Sequence, residues 1–235
     1  MADAFPALDD SRPDLDPDLD PDEDDDEEEE QMTAAEVAAR LERAWTDERF
    51  APTLLPPRPE IVDCILDQLA AVDENVRQRA PRGGGGDGGL RVVAHRAEAD
   101  RLRFVVAAYL RERLAKVELH GRHLLAGDDD DDAARRMTDE EATYAREFAD
   151  GVDAHARQVA LRHVPPNLQA AEARQAAAPN KRAYVFLRVN ERVDGVEVEA
   201  GGGETEVVTL ERGSQHVMQY AAIADLVESG VVSLI

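Results

Sequence analysis

The sequence predicts a mainly α protein: a bundle of four to five helices followed by a small β-rich domain, with a disordered acidic N-terminal tail. Three observations support this fold class. Apolar residues recur at helical spacing between residues 32 and 166, and strand-like alternation replaces that spacing in residues 182–235. Residues 1–31 contain 16 acidic side chains and one basic side chain. We therefore predict an acidic tail (1–31), a helical A domain (32–166), a linker (167–181) and a β-rich B domain (182–235).

The acidic tail carries most of the net charge of the chain. The 235 residues include 51 acidic and 27 basic side chains, a formal charge of −24, of which residues 1–30 supply −15. A segment with so few apolar residues cannot offset the entropy of ordering, so disorder is predicted. The charge disfavours nucleic-acid binding by the whole surface. It also permits an alternative function, an acidic adaptor or histone-chaperone-like protein whose tail binds basic partners.

The first two helices have clear start signals. Thr33 and Glu36 form a capping-box pattern before Val37, so the first helix is predicted to begin after Thr33. It is expected to stop near Pro52. The second helix is predicted to begin at Pro59, because proline is favoured in a first turn, and to end before a flexible insertion near residues 82–89.

The third and fourth helices complete the predicted bundle. The third is predicted over residues 90–119, and its stretch 104–110 is apolar nearly all round, so we expect it to be the most buried helix. After a flexible insertion near 127–136, a capping-box pattern of Thr138 and Glu141 starts the fourth helix. Its apolar stripe, expected to be buried, contains Ala145, Phe148, Val152 and Val159.

The B domain is predicted to contain several short strands. In residues 184–189 the side chains of Tyr184, Phe186 and Arg188 alternate with Val185, Leu187 and Val189. A hairpin turn is expected at residues 193–196, with further strands near 206–210, 215–220 and 231–235 and a short helix near 223–228. A β domain of about 50 residues is marginal alone, which favours a partner surface.

No catalytic, cofactor or metal site is predicted. The glycines of residues 84–89 fit a dinucleotide-binding pattern, but they follow a helix instead of a strand. His120 and His123 lie three residues apart without a metalloprotease motif, and a single cysteine, Cys64, allows neither an internal disulfide nor a cysteine zinc site. The cysteine content indicates the cytosol or nucleus. No apolar run is long enough for a membrane span, and no signal peptide is expected.

The third helix is the one locally basic part of the chain. Residues 91–122 contain eight lysines and arginines but only four acidic residues. One interpretation is a solvated face with pairs such as Glu112–Lys116. The other is a docking face for an acidic partner or, less favoured, for DNA. The candidate basic face consists of Arg96, Arg103, Arg111 and Lys116.

Five blocks of the sequence resemble the Sld-five family of subunits of GINS, the eukaryotic replication complex. They are ERAWTDERFAPTLL (42–55), PEIV (59–62), HVPPNLQ (163–169), YVFLRV (184–189), and GSQH with SGVVSLI (213–235). The blocks occur in the family's order from about Thr33 to Ile235, which makes the match specific. The acidic tail and the Gly and Asp runs lie outside the shared pattern.

The resemblance implies a non-catalytic nuclear protein that forms a heterotetramer with the three "partner of Sld-five" subunits. It also implies that this tetramer joins the minichromosome-maintenance hexamer and the Cdc-forty-five protein in the replicative helicase, which acts in initiation, elongation and break-induced replication. Contact with DNA is expected to be indirect or weak at most, and neither a cofactor nor a membrane is involved.

Large apolar residues dominate interfaces of this kind, so we select candidate anchors among them. The candidate partner-interface residues are Trp45, Phe50, Tyr109, Tyr184, Phe186 and Leu234. Each of them suits the core of the chain equally well, and for Trp45 and Tyr109 the core is the favoured interpretation.

Overall fold

The computed structural model describes residues 32–79, 87–126, 134–165, 176–200 and 204–235. Thr33–Ile235 form one compact unit. The predictions for the acidic tail, and for most of both insertions and of the linker, lie outside the described residues.

In the described residues, four long helices form the helical bundle, and three of them begin as predicted. The helices are α1 (Ala34–Phe50), α2 (Pro59–Arg79), α3 (Asp87–Ala126) and α4 (Asp139–Val159), with short 3-10 helices at Ala134–Arg136 and Leu161–His163. Both capping boxes are present, because Thr33 Oγ1 accepts a hydrogen bond from Glu36 N and Thr138 Oγ1 accepts one from Glu141 N. At 40 residues α3 is longer than predicted, and its first turn includes residues 87–89 that were assigned to the insertion.

The bundle is built around α3, which packs against α1, α2 and α4. Their shared core is made mainly of Leu41, Ile65 and Tyr109, with a second cluster around Val117 and Leu124. The apolar stretch 104–110, which led us to expect α3 to be the most buried helix, is covered on one side only. Val105, Val106 and Tyr109 are buried, but Phe104 and Leu110 are exposed. The three neighbouring helices cover only one side of α3.

In its described residues, the C-terminal β region contains five strands and one helix. They are β1 (Tyr184–Val189), β2 (Val193–Ala200), β3 (Glu204–Leu210), β4 (Gln215–Gln219), α5 (Tyr220–Glu228) and β5 (Val232–Leu234). An antiparallel sheet has the order β4-β1-β5, and β2 pairs with β3 in a separate two-stranded sheet. The predicted hairpin turn at 193–196 is wrong. Those residues lie in β2, where Gly195 at φ +84° sits in a register shift between Val193 and Val196.

The hydrophobic core of the β region includes residues from the helical part of the chain. Alternation along β1 is as predicted, and Leu187 packs in a cluster with Tyr220 and Ile223 of α5. Ala51 and Leu55, from the loop between α1 and α2, belong to the same cluster. The β region therefore packs against the α1–α2 loop.

Candidate partner interfaces and the charge network behind them

A buried arginine lies at the centre of the helical bundle. Arg113 of α3 is 1% exposed, and its guanidinium donates two hydrogen bonds to the Glu141 carboxylate at 2.7 and 2.8 Å. The remaining donors reach Glu48 at 3.2 Å, the Leu55 carbonyl at 2.8 Å and the Arg136 carbonyl at 2.9 Å. All five N–H groups of the side chain are thus satisfied.

Lys116 extends this network one turn along α3. Its Nζ donates to Glu48 Oε1 at 2.6 Å and to the Thr53 carbonyl at 2.9 Å, and it also contacts the Glu48 carbonyl. Burial lowers the pKa of Lys116, an effect that the Glu48 charge opposes. For Arg113, burial acts in the same downward direction, but the hydrogen bonds and charge of Glu141 outweigh it and raise the pKa.

The network connects elements that are far apart in the sequence. Glu48 comes from α1, Arg113 and Lys116 come from α3, and Glu141 comes from the first turn of α4. In the sequence alone, Arg113 is one of the eight bases of the third helix. A signal was available, because Tyr109, Arg113 and Val117 recur at a spacing of four and the two apolar members are buried.

A second set of polar contacts joins the helical bundle to the β region. The carboxylate of Asp47 in α1 accepts the Leu234 N–H of β5 at 2.7 Å. Thr53 Oγ1 donates to the Tyr220 hydroxyl at 2.9 Å, and Arg136 pairs with Glu228 of α5 at 2.7 Å. Burial raises the pKa of Asp47 to about 6, although the Leu234 N–H and the charges of nearby arginines favour the ionised form.

The outer side of α3 carries an exposed apolar face. At 100° per residue, Leu90, Val93, Phe104 and Leu119 fall within an arc of about 80° that runs roughly 43 Å along the helix. Phe104 is 60% exposed and Leu119 is 62% exposed. Leu114 and Leu110 are exposed as well, but they lie about 60° and 100° outside this arc. We call Leu90, Val93, Phe104 and Leu119 the α3 outer face.

An exposed apolar face is also present on α4, where we expected a buried stripe. Ala145 is buried as expected, but Phe148, Val152 and Val159 are exposed. The expectation is wrong for these three residues because the contact with α3 runs through Ala145 and Asp153, and the three larger side chains lie beside it. Phe148, Val152 and Val159 form the α4 outer face.

The predicted basic face on α3 is not a continuous surface. Lys116 points into the core and pairs with Glu48, not with Glu112 as proposed. Arg103 is held by Asp73 and Asp100 at 2.6 and 2.7 Å. Arg96 and Arg111 are exposed, and within the described ranges neither forms an ion pair.

The six predicted partner-interface residues divide between core and surface. Tyr109 and Leu234 are 2% and 1% exposed in the hydrophobic clusters of this chain, so their side chains serve its own packing. Trp45 is half-buried, with its ring edge-to-face against Phe104 at 6.1 Å between centroids. Phe50 is exposed beneath the Arg49 guanidinium. The structure does not bring these residues together in one site.

Tyr184 and Phe186 lie on the outer face of the β4-β1-β5 sheet. They are 68% and 62% exposed, while Val185 and Leu187 between and beside them are buried. Across β4, Phe186 is paired with Val217. These two predicted interface residues therefore occupy a surface of their own in the β region.

The described residues offer little room for a cofactor or a metal ion. A cavity bounded by Asp47, Tyr109 and Val227 encloses about 30 Å³. Ligand pockets typically enclose about 300–1,000 Å³. Across the described ranges, no group of three or more His, Cys, Asp or Glu side chains is arranged to hold a metal ion. None of the described helices is long and apolar enough to cross a bilayer.

Comparisons with known proteins match both regions of the chain. The family "GINS complex protein helical bundle domain" matches residues 89–160, which include most of α3 and all of α4. The family "DNA replication complex GINS protein SLD5 C-terminus" matches residues 179–235, which include the whole β region.

Similar proteins cover nearly the full length of the chain. The DNA replication complex GINS proteins SLD5 of Rattus norvegicus and Homo sapiens are each 42% identical over 209 residues, covering 87% of this chain and 91% of the relative. The corresponding protein of Schizosaccharomyces pombe is 29% identical over 196 residues, covering 81% of this chain and 88% of the relative. The chain therefore belongs to the SLD5 family of GINS DNA replication proteins, the Sld-five family that its sequence blocks resemble.

Proposed function

We propose that the chain is a non-catalytic structural subunit of a GINS heterotetramer in the nucleus. Its three partners are the other GINS subunits. The assembled tetramer joins the minichromosome-maintenance hexamer and Cdc-forty-five to form the replicative helicase for initiation and elongation of DNA replication. Membership of the SLD5 family supports the replication role, and the relatives are named for a replication complex.

The observation that carries the proposal is the pair of outer faces on α3 and α4. Both lie in the residues that match the helical bundle family. Soluble monomers rarely expose long contiguous apolar surfaces, because such surfaces drive association. Obligate complexes bury on the order of 2,000 Å² or more, with apolar side chains at the centre. A helix about 60 Å long that exposes four large apolar side chains along one side suits such a contact.

Charge substitutions in these faces test the assembly. Leu119→Glu on α3 and Phe148→Glu on α4 each place a carboxylate on an exposed apolar site. Arg146→Glu is the matched control, because Arg146 is exposed on α4 about 160° around the helix from Phe148. Each variant is co-expressed with the three sister subunits, and the tetramer recovered by affinity purification and size exclusion is quantified.

We expect at least a tenfold loss of tetramer for the double variant Leu119→Glu/Phe148→Glu and no loss for Arg146→Glu. A tenfold change corresponds to about 1.4 kcal/mol, a modest effect for an interface anchor. Wild-type recovery from the double variant would contradict the proposal. So would a wild-type chain that folds cooperatively and stays monomeric beside its three sisters.

Entry into the helicase is tested separately with the purified tetramer. We expect it to co-elute with purified minichromosome-maintenance hexamer and Cdc-forty-five, and to elute alone when either is omitted. A tetramer that assembles normally but never joins the other two components would leave the scaffold role intact and refute the helicase role.

A further inference from the structure

The outer face of the β4-β1-β5 sheet forms a compact apolar surface in the β region. Tyr184 and Phe186 project from the central strand β1, and Val217 lies directly across from Phe186 in β4. Ile235 adjoins them from the β5 side, where its N–H donates to the Phe186 carbonyl at 3.1 Å. All four side chains are exposed. We call these four residues and Arg188 the sheet patch.

The sheet is covered on one side only. Its inner face, including Val185 and Leu187, is buried against α5 and the α1–α2 loop. The exposure of the sheet patch means that none of the described elements covers the outer face. A sheet with two apolar faces and one cover leaves its second face available for association.

The charge of this face differs from that of the chain. Arg188 is exposed at the end of the row formed by Tyr184 and Phe186, and its cross-strand neighbours Gln215 and Ser233 are uncharged. No carboxylate occupies the outward positions of the three strands, in a chain with 51 acidic residues. Across the described part of the chain, Arg188 has no ion-pair partner.

We propose that the sheet patch docks a segment of a partner protein that carries apolar side chains beside a carboxylate. The apolar side chains cover Tyr184 and Phe186, and the carboxylate pairs with Arg188. Tyrosine and arginine are enriched among residues that dominate binding energy. Arginine with a carboxylate also forms charge-assisted, bidentate hydrogen bonds, which add geometric specificity.

The charges of the β region favour a partner protein as the occupant of the sheet patch over single-stranded nucleic acid or a second copy of this chain. Single-stranded nucleic acid requires a row of cations along its backbone, whereas this face has one arginine and the β2–β3 hairpin exposes Glu197 and Glu206. A second copy of the same face would bring no acidic side chain to Arg188. A partner that supplies its own carboxylate satisfies both the apolar and the charged part of the patch.

Peptide selection on the assembled complex tests this proposal. The reconstituted GINS tetramer, checked by size exclusion so that an assembly failure is seen first, is immobilised and used to select random displayed peptides. Selections are repeated with Phe186→Ser and with Arg188→Glu. Val207→Ser is the matched control, because Val207 is about as exposed as Phe186 but lies in β3, outside the β4-β1-β5 sheet.

We expect the wild-type complex to enrich peptides with Asp or Glu beside Leu, Ile or Phe. Their affinity should fall at least tenfold with Phe186→Ser and be unchanged with Val207→Ser. With Arg188→Glu the acidic peptides should be lost, and peptides with Lys or Arg in the same place should replace them. This reversal of charge preference would not follow from a merely structural role of Arg188.

Three outcomes would overturn the proposal. They are enrichment that does not depend on Phe186, enrichment without acidic residues, and Phe186-dependent binding of a thymidine oligonucleotide in fluorescence anisotropy. A cryo-electron microscopy map of the tetramer tests whether a segment of a sister subunit occupies the sheet patch. A sister segment with a carboxylate within hydrogen-bond distance of Arg188 supports the proposal, and a sister segment without one refutes it.

Discussion

At the scale of single residues, Arg113 shows how this bundle accommodates buried charge. Removing a charged group from water is costly, and the attraction of a buried ion pair repays that cost only with good geometry and full hydrogen bonding. Arg113 meets both conditions through Glu141, Glu48 and two backbone carbonyls. Loss of the arginine alone would leave its carboxylate partners under-compensated.

We therefore predict that Arg113→Met destabilises the bundle by about 3–5 kcal/mol, the usual effect of breaking a buried ion pair. Arg103→Met is the control, because the Arg103–Asp73 pair is exposed and exposed pairs contribute little to stability. Hydrogen exchange of α3 amides in the tetramer measures the free energy of opening. Equal effects of the two substitutions would refute a stabilising role for the network.

Asp47 makes the junction between bundle and β region sensitive to pH. Its pKa is about 6 in the folded chain against an ordinary value of 3.8, so the folded state retains a proton that the unfolded state loses. The protonated form contributes stability that is fully present below about pH 4 and is lost as the pH rises through 6. The upper limit of this change is about 3 kcal/mol.

We expect Asp47→Asn to remove this pH dependence, because the amide oxygen still accepts the Leu234 N–H while the side chain cannot ionise. The measurement is the exchange protection factor of the C-terminal strand between pH 4 and pH 7. In the wild type it should fall with rising pH, and in Asp47→Asn it should stay level. A wild-type protection factor that rises over this range would contradict the assignment.

At the scale of elements, the turn from β3 to β4 depends on one glycine. Gly213 has φ +83°, and its N–H donates to the Val189 carbonyl at 2.7 Å, which ties the turn to β1. Side chains with a Cβ are strained in this conformation, although asparagine tolerates it better than alanine. The turn sets the register of β4 against β1.

We predict that Gly213→Ala destabilises the β region by about 1–2 kcal/mol and that Gly213→Asn costs less. No heavy atom lies within 4 Å of the position of an added Cβ, so the difference reports backbone strain and not a clash. Exchange protection of β1 and β4 amides measures it. Equal exchange protection of these amides in Gly213→Ala and Gly213→Asn would contradict this account.

At the scale of the whole molecule, the acidic tail separates the two proposed functions. Deletion of residues 1–31 removes a charge of −15 and leaves α1 with its Thr33 cap intact. We expect the shortened chain to assemble with its three sisters as the full chain does, because both outer faces are retained. Co-purification from cells measures this, and loss of the tetramer would contradict it.

The acidic adaptor alternative makes a different prediction for the same deletion. If the tail acts by charge, the full chain retains core histones in a pull-down at physiological salt and the shortened chain does not. Equal, weak retention by both chains would count against this alternative and leave the assembly function untouched.

The amino-acid sequence by itself determined the features that depend on near neighbours. Both capping boxes, the start of α2 at Pro59 and the alternation along β1 follow from residues a few positions apart. The blocks that mark the SLD5 family were also readable, because they are linear motifs. The position of the hairpin could not be predicted in this way, because β2 pairs with β3 and Gly195 lies in a register shift of β2.

Only the tertiary structure decided which apolar faces are covered. Helical periodicity marks an apolar stripe on α4 but does not say whether a neighbour covers it, and here Phe148 and Val152 remain outside. The burial of Arg113 and the seating of the β region on the α1–α2 loop likewise depend on contacts between residues far apart in the chain. Such contacts arise when the elements pack, and the spacing of four that groups Arg113 with Tyr109 and Val117 does not identify its partners.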